Sequence, residues 1–218
     1  MRRLVRPKVV TAAAIAAASS AALSIPRMLL WAKRPLPLWY LESTIFLSGF
    51  VLWAFVFAWH TEYTHRPVFT LKIKPSLFAT ATLAGILATI ALHFFLDPAL
   101  RLITPEDYPG DFAHWLASTL FGLAFTQLFL LFAPVAWALR LFRNENVALW
   151  LTVFFNVFLL ILRTQVSPRP FPHGLFMELF ALHVVMGYLG VWFYLRGGIF
   201  LASWLSLLIE ARHLLQIF

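Results

Sequence analysis

The chain has 218 residues, of which 61% are hydrophobic and 12% charged. A soluble domain is about 45–50% apolar and about 25% charged. With a mean hydropathy of +0.82, too few charges remain to cover a water-facing surface, which excludes ordinary soluble and disordered folds. Lys and Arg number 17 against 9 Asp and Glu, a net charge of +8. The basic residues flank apolar segments, as membrane topology requires, and form no stripe interleaved with exposed aromatics. No nucleic-acid partner is expected. There is no cysteine, so disulfides, thiolate metal sites and cysteine nucleophiles are excluded together.

A membrane-crossing helix needs about 20 mostly apolar residues. Seven segments qualify: Lys8–Ile25, Leu38–Trp59, Leu77–Leu96, Phe112–Leu139, Val147–Leu162, Leu175–Leu195 and Ile199–Phe218. The expected fold is all-α, a polytopic membrane helical bundle with about seven transmembrane helices in one domain, 1–218. The first segment follows Arg2, Arg3, Arg6 and Lys8 and contains an Ala-rich run, Thr11–Ala22. It reads as a retained signal anchor, although a cleaved secretory signal has the same form. Pro134 is placed to kink the fourth segment, and Asn144 or Asn146 to cap the fifth. Pro98–Ile103 reads as a short interfacial helix. Ser167-Pro168-Arg169-Pro170-Phe171-Pro172 reads as an extended loop. Gly197-Gly198 is a tight turn that makes the last two segments an antiparallel hairpin. Gly187 and Gly190, with Ala181, permit close helix contact.

With the N-terminus cytoplasmic, inside segments hold 10 basic residues and outside segments 7. That bias favours an inside N-terminus and an outside C-terminus, in a bacterial inner (cytoplasmic) membrane. Trp31, Trp39, Trp59, Trp115, Trp137, Trp150 and Trp192 fall near segment ends, where indoles suit the interface. Trp53 and Trp204 fall deeper and read as packing residues.

Ionisable groups in apolar segments are functional candidates by default. Glu42, Glu178 and Glu210 are the acids in question. Glu42 lies near a segment start and can reach the interface. Glu210 and His213 are three apart and share a helical face. Glu-x-x-His is half of a di-metal bundle motif, but no second copy exists, so no metal site is expected. His60 and His65 bracket four residues in the manner of a membrane desaturase box, without the further pairs such enzymes need. His93, His114 and His183 lie on different segments, so a haem or quinone redox protein is a competing reading. No cofactor is otherwise expected. Gln127 and Asn156 are intramembrane amides, suited to bonds across helices. Gly-x-Ser-x-Gly, phosphate-loop, dinucleotide and His-Glu-x-x-His motifs are all absent. A transporter reading lacks paired broken helices and an inverted repeat.

The stretch 69–218 resembles the CAAX-protease and bacteriocin-processing (CPBP, or Abi) intramembrane proteases; residues 1–68 supply the signal anchor and second helix. The likeness is one of layout. Leu71-Lys72-Ile73-Lys74-Pro75-Ser76 leads into an apolar helix, followed by an acidic loop. A long helix then ends in Phe125-Thr126-Gln127-Leu128-Phe129-Leu130-Leu131 and a basic turn at Arg140–Asn146. The last passage begins at Tyr194-Leu195-Arg196-Gly197-Gly198-Ile199-Phe200. The resemblance implies three motifs. Glu-Glu-x-x-x-Arg falls on Thr126, Gln127 and Leu131. Phe-x-x-x-His falls on Phe158 and Leu162. A His with Asn or Asp four later falls on Leu207 and Ala211. None of these positions holds a titratable base.

The resemblance therefore implies a pseudoenzyme without catalytic residues: a scaffold or subunit binding other membrane helices, with the lipid bilayer and other membrane proteins as its partners. The alternative is an intramembrane protease with relocated groups drawn from Glu178, His183 and Glu210. Glu178 and His183, five apart, do not share a helix face, so that alternative needs a base from another helix.

Overall fold

The computed structural model describes residues 4–30, 36–167 and 169–217. Among them there is helix and no strand. Six helices are long and apolar enough to cross a membrane: α1 Pro7–Leu29, α2 Leu38–Thr64, α3 Pro75–Ile103, α4 Phe112–Phe142, α5 Glu145–Val166 and α6 His173–Leu215. The expected seventh does not stand as a separate helix. Residues 173–215 form one run, broken at Gly198, where φ is 69° and ψ −166°. Of the interface tryptophans, Trp31 lies outside the described residues, as do Arg2, Arg3, Lys33, Arg34 and Pro168.

The break reverses the chain. His183 and Glu210 line one cavity, whereas 27 residues of straight helix would hold them about 40 Å apart. Phe193, Leu201 and Leu205 of the two halves share one buried cluster. Glycine is needed at the reversal for two reasons. The positive φ suits a residue without Cβ, and a Cβ on Gly198 would sit 2.6 Å from the Val68 carbonyl oxygen. That same oxygen accepts the Ile199 amide at 3.1 Å. The connection between α2 and α3 is thereby stitched into the turn. Arg66 adds bonds to the Leu195 carbonyl at 2.6 Å and to Glu145 at 3.2 Å.

Small residues set the other contacts. The buried face of α1 is Ala13, Ala17, Ser20, Ser24 and Met28, spaced for one helical stripe. It lets α2 approach until a Cβ on Gly49 would lie 3.8 Å from Ala17. Ser20 donates to the Ala124 carbonyl at 3.0 Å and accepts from Trp53 Nε1 at 3.1 Å, tying α1 to both α4 and α2. Gly187 and Gly190 bring α6 against Val153 of α5 and Leu131 of α4. Ala181 is exposed and takes no part.

Several helices run past the ends that hydropathy alone suggests. α2 continues through a π-helical turn, Val56–His60, to Thr64. α3 continues through Leu92–Leu96 to Ile103, so Pro98–Ile103 extends a long helix and is not a separate one. Asn144 is the cap of α5, accepting the Asn146 and Val147 amides. The described residues of 167–172 are non-helical, as their prolines require. Trp53 is buried, and Trp204 donates to Thr82 Oγ1 at 2.9 Å while stacked on Phe78.

Candidate functional site: a polar chamber in the bundle

Pro134 begins the local story. It has no N–H, so the carbonyl four residues back, Leu130, loses its helical partner. Before Pro134, α4 departs from α-helical pairing in two π-helical turns, Gly122–Thr126 and Leu128–Phe132. Asn156 of α5 reaches across and donates to Leu130 O at 2.8 Å. Gln127 stands between the two π turns. Its Oε1 accepts from Ser203 of α6 at 3.1 Å, and its Nε2 is buried with no partner. Such π turns recur at functional sites.

Gln127 faces a chamber of about 440 Å³. Thr119, Thr126, Asn156, Arg163, His183, Ser206, Glu210 and Arg212 supply its other polar walls, and Leu123, Leu130, Leu131 and Met186 much of the apolar remainder. A second cavity of about 280 Å³ shares Leu92, Arg163, Leu182, His183, Glu210 and Arg212, and adds Thr104, Asp107, Tyr108 and His213. The two share these walls at the end of the bundle where α3 meets α4, and each sets polar groups among apolar ones.

That end is held by charge. Asp97 is 1% exposed, 3.3 Å from Arg212 Nε, and accepts from the Tyr108 hydroxyl at 2.9 Å. Arg212 also donates to Ile209 O at 2.9 Å and lies 3.9 Å from Glu210. His213 Nε2 stands 3.7 Å from Glu210 Oε2, and the Tyr108 and His213 rings meet edge-on at 5.2 Å. Burial and the Asp97 hydrogen bond push the Tyr108 phenol above its usual range, so it stays a donor. Arg163 pairs with Asp107, and Arg169 with the Leu102 carbonyl. At the start of α4, Asp111 accepts the His114 amide at 2.8 Å. That bond and its contact with the His114 ring hold its carboxyl below the ordinary carboxylate range.

The residues singled out from sequence divide. Thr126, Gln127, Leu131, Asn156, His183 and Glu210 line the larger chamber, and His213 the smaller cavity. Leu162, Leu207 and Ala211 line neither; Leu162 is 40% exposed on the outer face. Glu178 is exposed and also lines neither. The positions that do face inward are one residue along: Arg163 in place of Leu162, and Ser206 with Glu210 in place of Leu207 with Ala211. One residue is about 100° of helix, enough to exchange a chamber-facing side chain for its neighbour. His93 and His114 line neither of the two cavities that His183 lines. Among the described residues no group of three His, Asp or Glu is arranged to hold a metal ion.

Asp97, Tyr108 and Thr119 were not flagged by sequence reasoning. A signal existed for the first: Asp97 and Arg212 are opposite charges at the edges of apolar runs, and such groups pair when buried.

The chain matches no protein-family model, no curated protein and no solved structure.

Proposed function

We propose that this is a non-catalytic integral membrane protein of CPBP-like layout, with seven crossings, that acts by binding. In this reading residues 173–197 and 199–215 are the sixth and seventh crossings, joined at Gly198. The N-terminus is cytoplasmic, in a bacterial inner membrane. One observation carries the functional part. Thr126, Gln127 and Leu131, on which the family's water-activating motif falls, line the chamber without offering a titratable group. Water activation needs a base within hydrogen-bond reach; an amide whose oxygen is already occupied by Ser203 supplies none. What remains at that position is a hydrogen-bonding wall.

A second reading keeps hydrolysis with relocated groups, and a specific contact favours it. His183 Nδ1 donates to the Leu179 carbonyl at 2.9 Å, which leaves Nε2 as the acceptor nitrogen of a ring that lines the same chamber as Glu210. One experiment separates the readings. The purified chain is incubated with a mixed peptide library beside its Glu210→Gln and His183→Ala variants. The binding reading expects no cleavage from any of the three. Cleavage by the parent chain that both variants lose would establish the hydrolase. The scaffold or subunit role has its own readout: extraction in mild detergent brings out a partner in fixed stoichiometry, whereas a lone stable monomer removes that role.

A further inference from the structure

The chamber contains polar atoms that nothing in the protein satisfies. Gln127 is 9% exposed and its Nε2 has no hydrogen-bond partner; Thr119 is 2% exposed and its Oγ1 has none either. A buried polar atom left unpaired is costly and rare in folded proteins. Their residues lie two turns apart on α4 and both line the chamber, so a small side-chain rotation would present the buried atoms to a ligand. Resting on the binding reading above, we propose that the chamber binds a neutral, membrane-soluble molecule through a carbonyl oxygen, which accepts from the Gln127 amide.

The surrounding chemistry narrows the class. Gln127 Oε1 already accepts from Ser203 while Nε2 has no partner, so the ligand group that completes the amide is an acceptor. An anionic ligand is disfavoured because the cations at the mouth already face carboxylates: Arg163 faces Asp107, and Arg212 faces Asp97 and Glu210. A cationic ligand is disfavoured because it has nothing to accept the Gln127 protons. Leu123, Leu130, Leu131 and Met186 suit a hydrocarbon body beside the acceptor, with Thr119 positioned for a second polar atom. Apolar pockets with a few convergent polar groups are the usual form of small-ligand sites. Two membrane components carry this chemistry, an acyl ester and an isoprenoid quinone, and the shared feature is the carbonyl.

The test uses the full chain in nanodiscs with three probes: a monoacylglycerol, its ether-linked analogue without the carbonyl, and decylubiquinone. Ligand binding to the folded state raises the melting temperature with concentration, and direct titration gives Kd. The ester or the quinone is expected to bind, which also identifies the source, with the ether analogue at least tenfold weaker than the ester. Gln127→Met keeps the shape but removes the donor, and should weaken carbonyl binding by about tenfold, or 1.4 kcal/mol. Its ligand-free melting temperature should stay near the parent's, since the loss of the Ser203 bond is offset by removal of an unpaired buried donor. If that variant fails to fold, Thr119→Val serves in its place, with the same expected loss. Failure of both carbonyl probes to bind the parent chain means that the chamber holds water only and overturns the proposal; so does undiminished binding to the donor-free variant. Mass analysis of the recovered ester keeps the two claims apart. Intact ester that bound supports both; hydrolysed ester sinks the non-catalytic reading and leaves carbonyl recognition standing.

Discussion

The two ends of the bundle share α4, α5 and α6 yet obey different rules. Around Trp53, Phe132, Val135, Leu139, Val153 and Tyr194 the helices close into a dry, fully buried cluster, with Trp53 against Phe57, Phe69 and Phe132. There small residues set the spacing and aromatic rings fill it. At the other end α3, α4, α5 and α6 hold apart around the chamber, and buried charge does the holding. Lipid already solvates apolar side chains, so hydrophobic burial gives helices little reason to associate. Packing and polar contacts decide where a membrane bundle is tight. The dry end rests mainly on packing, with the Ser20 bonds added, and the chamber end mainly on buried charge.

Breaking each end in turn sharpens this contrast. Asp97→Ala strips Arg212 of its nearest counter-charge and the Tyr108 hydroxyl of its acceptor. The expected loss is about 3–5 kcal/mol, the range for leaving one partner of a buried pair alone, read as a fall in thermal midpoint. At the dry end, Leu139→Ala opens a cavity at a 1% exposed site and should lose about 2–4 kcal/mol, with no change in ligand binding at the chamber. Ser20→Ala removes the bonds to Ala124 O and from Trp53 Nε1; about 1 kcal/mol is expected, with Trp53 emission shifting as its indole loses a partner. The smallest effect is at the mouth. The depressed Asp111 carboxyl stabilises the start of α4 above its unfolded pKa, and that contribution disappears as pH falls through its lower folded value. The protection factor of the His114 amide, its exchange rate relative to an unstructured chain at the same pH, should fall on acidification below about pH 4, and should be low already at neutral pH in Asp111→Ala.

Much of this was readable from sequence because hydropathy reports solvent directly. The helix cores, a cap at Asn144 or Asn146 and the packing roles of Trp53 and Trp204 followed from residue type and position alone. The reversal at Gly197-Gly198 was also legible, since few other pairs end an apolar helix so sharply. Helix ends were less so: the third segment reads as ending at Leu96 with a separate short helix from Pro98, but proline tolerates the first turn of a helix and α3 simply continues. The site was half legible. Gln127, Asn156, His183, Glu210 and His213 stood out as polar groups in apolar runs. Their convergence did not, because it depends on helix rotation, and the π turns of α4 alter rotation without any one residue announcing them. Carrying a motif by position onto Leu162, Leu207 and Ala211 missed the chamber by one residue, the error that a 100° step per residue makes most costly.

The decisive contrast is between a partly polar space that reaches the interior of one end and the fully buried positions around Val135 and Ala136 at the other. The chain has no cysteine, so single cysteines can be introduced against a silent background and treated with a charged thiol reagent, which attacks only where water supports the thiolate. Ser206→Cys and Thr126→Cys should be modified, from the face carrying the α3–α4 connection only, while Ala136→Cys in the dry cluster stays inert. Chamber cysteines as unreactive as position 136 would contradict the account.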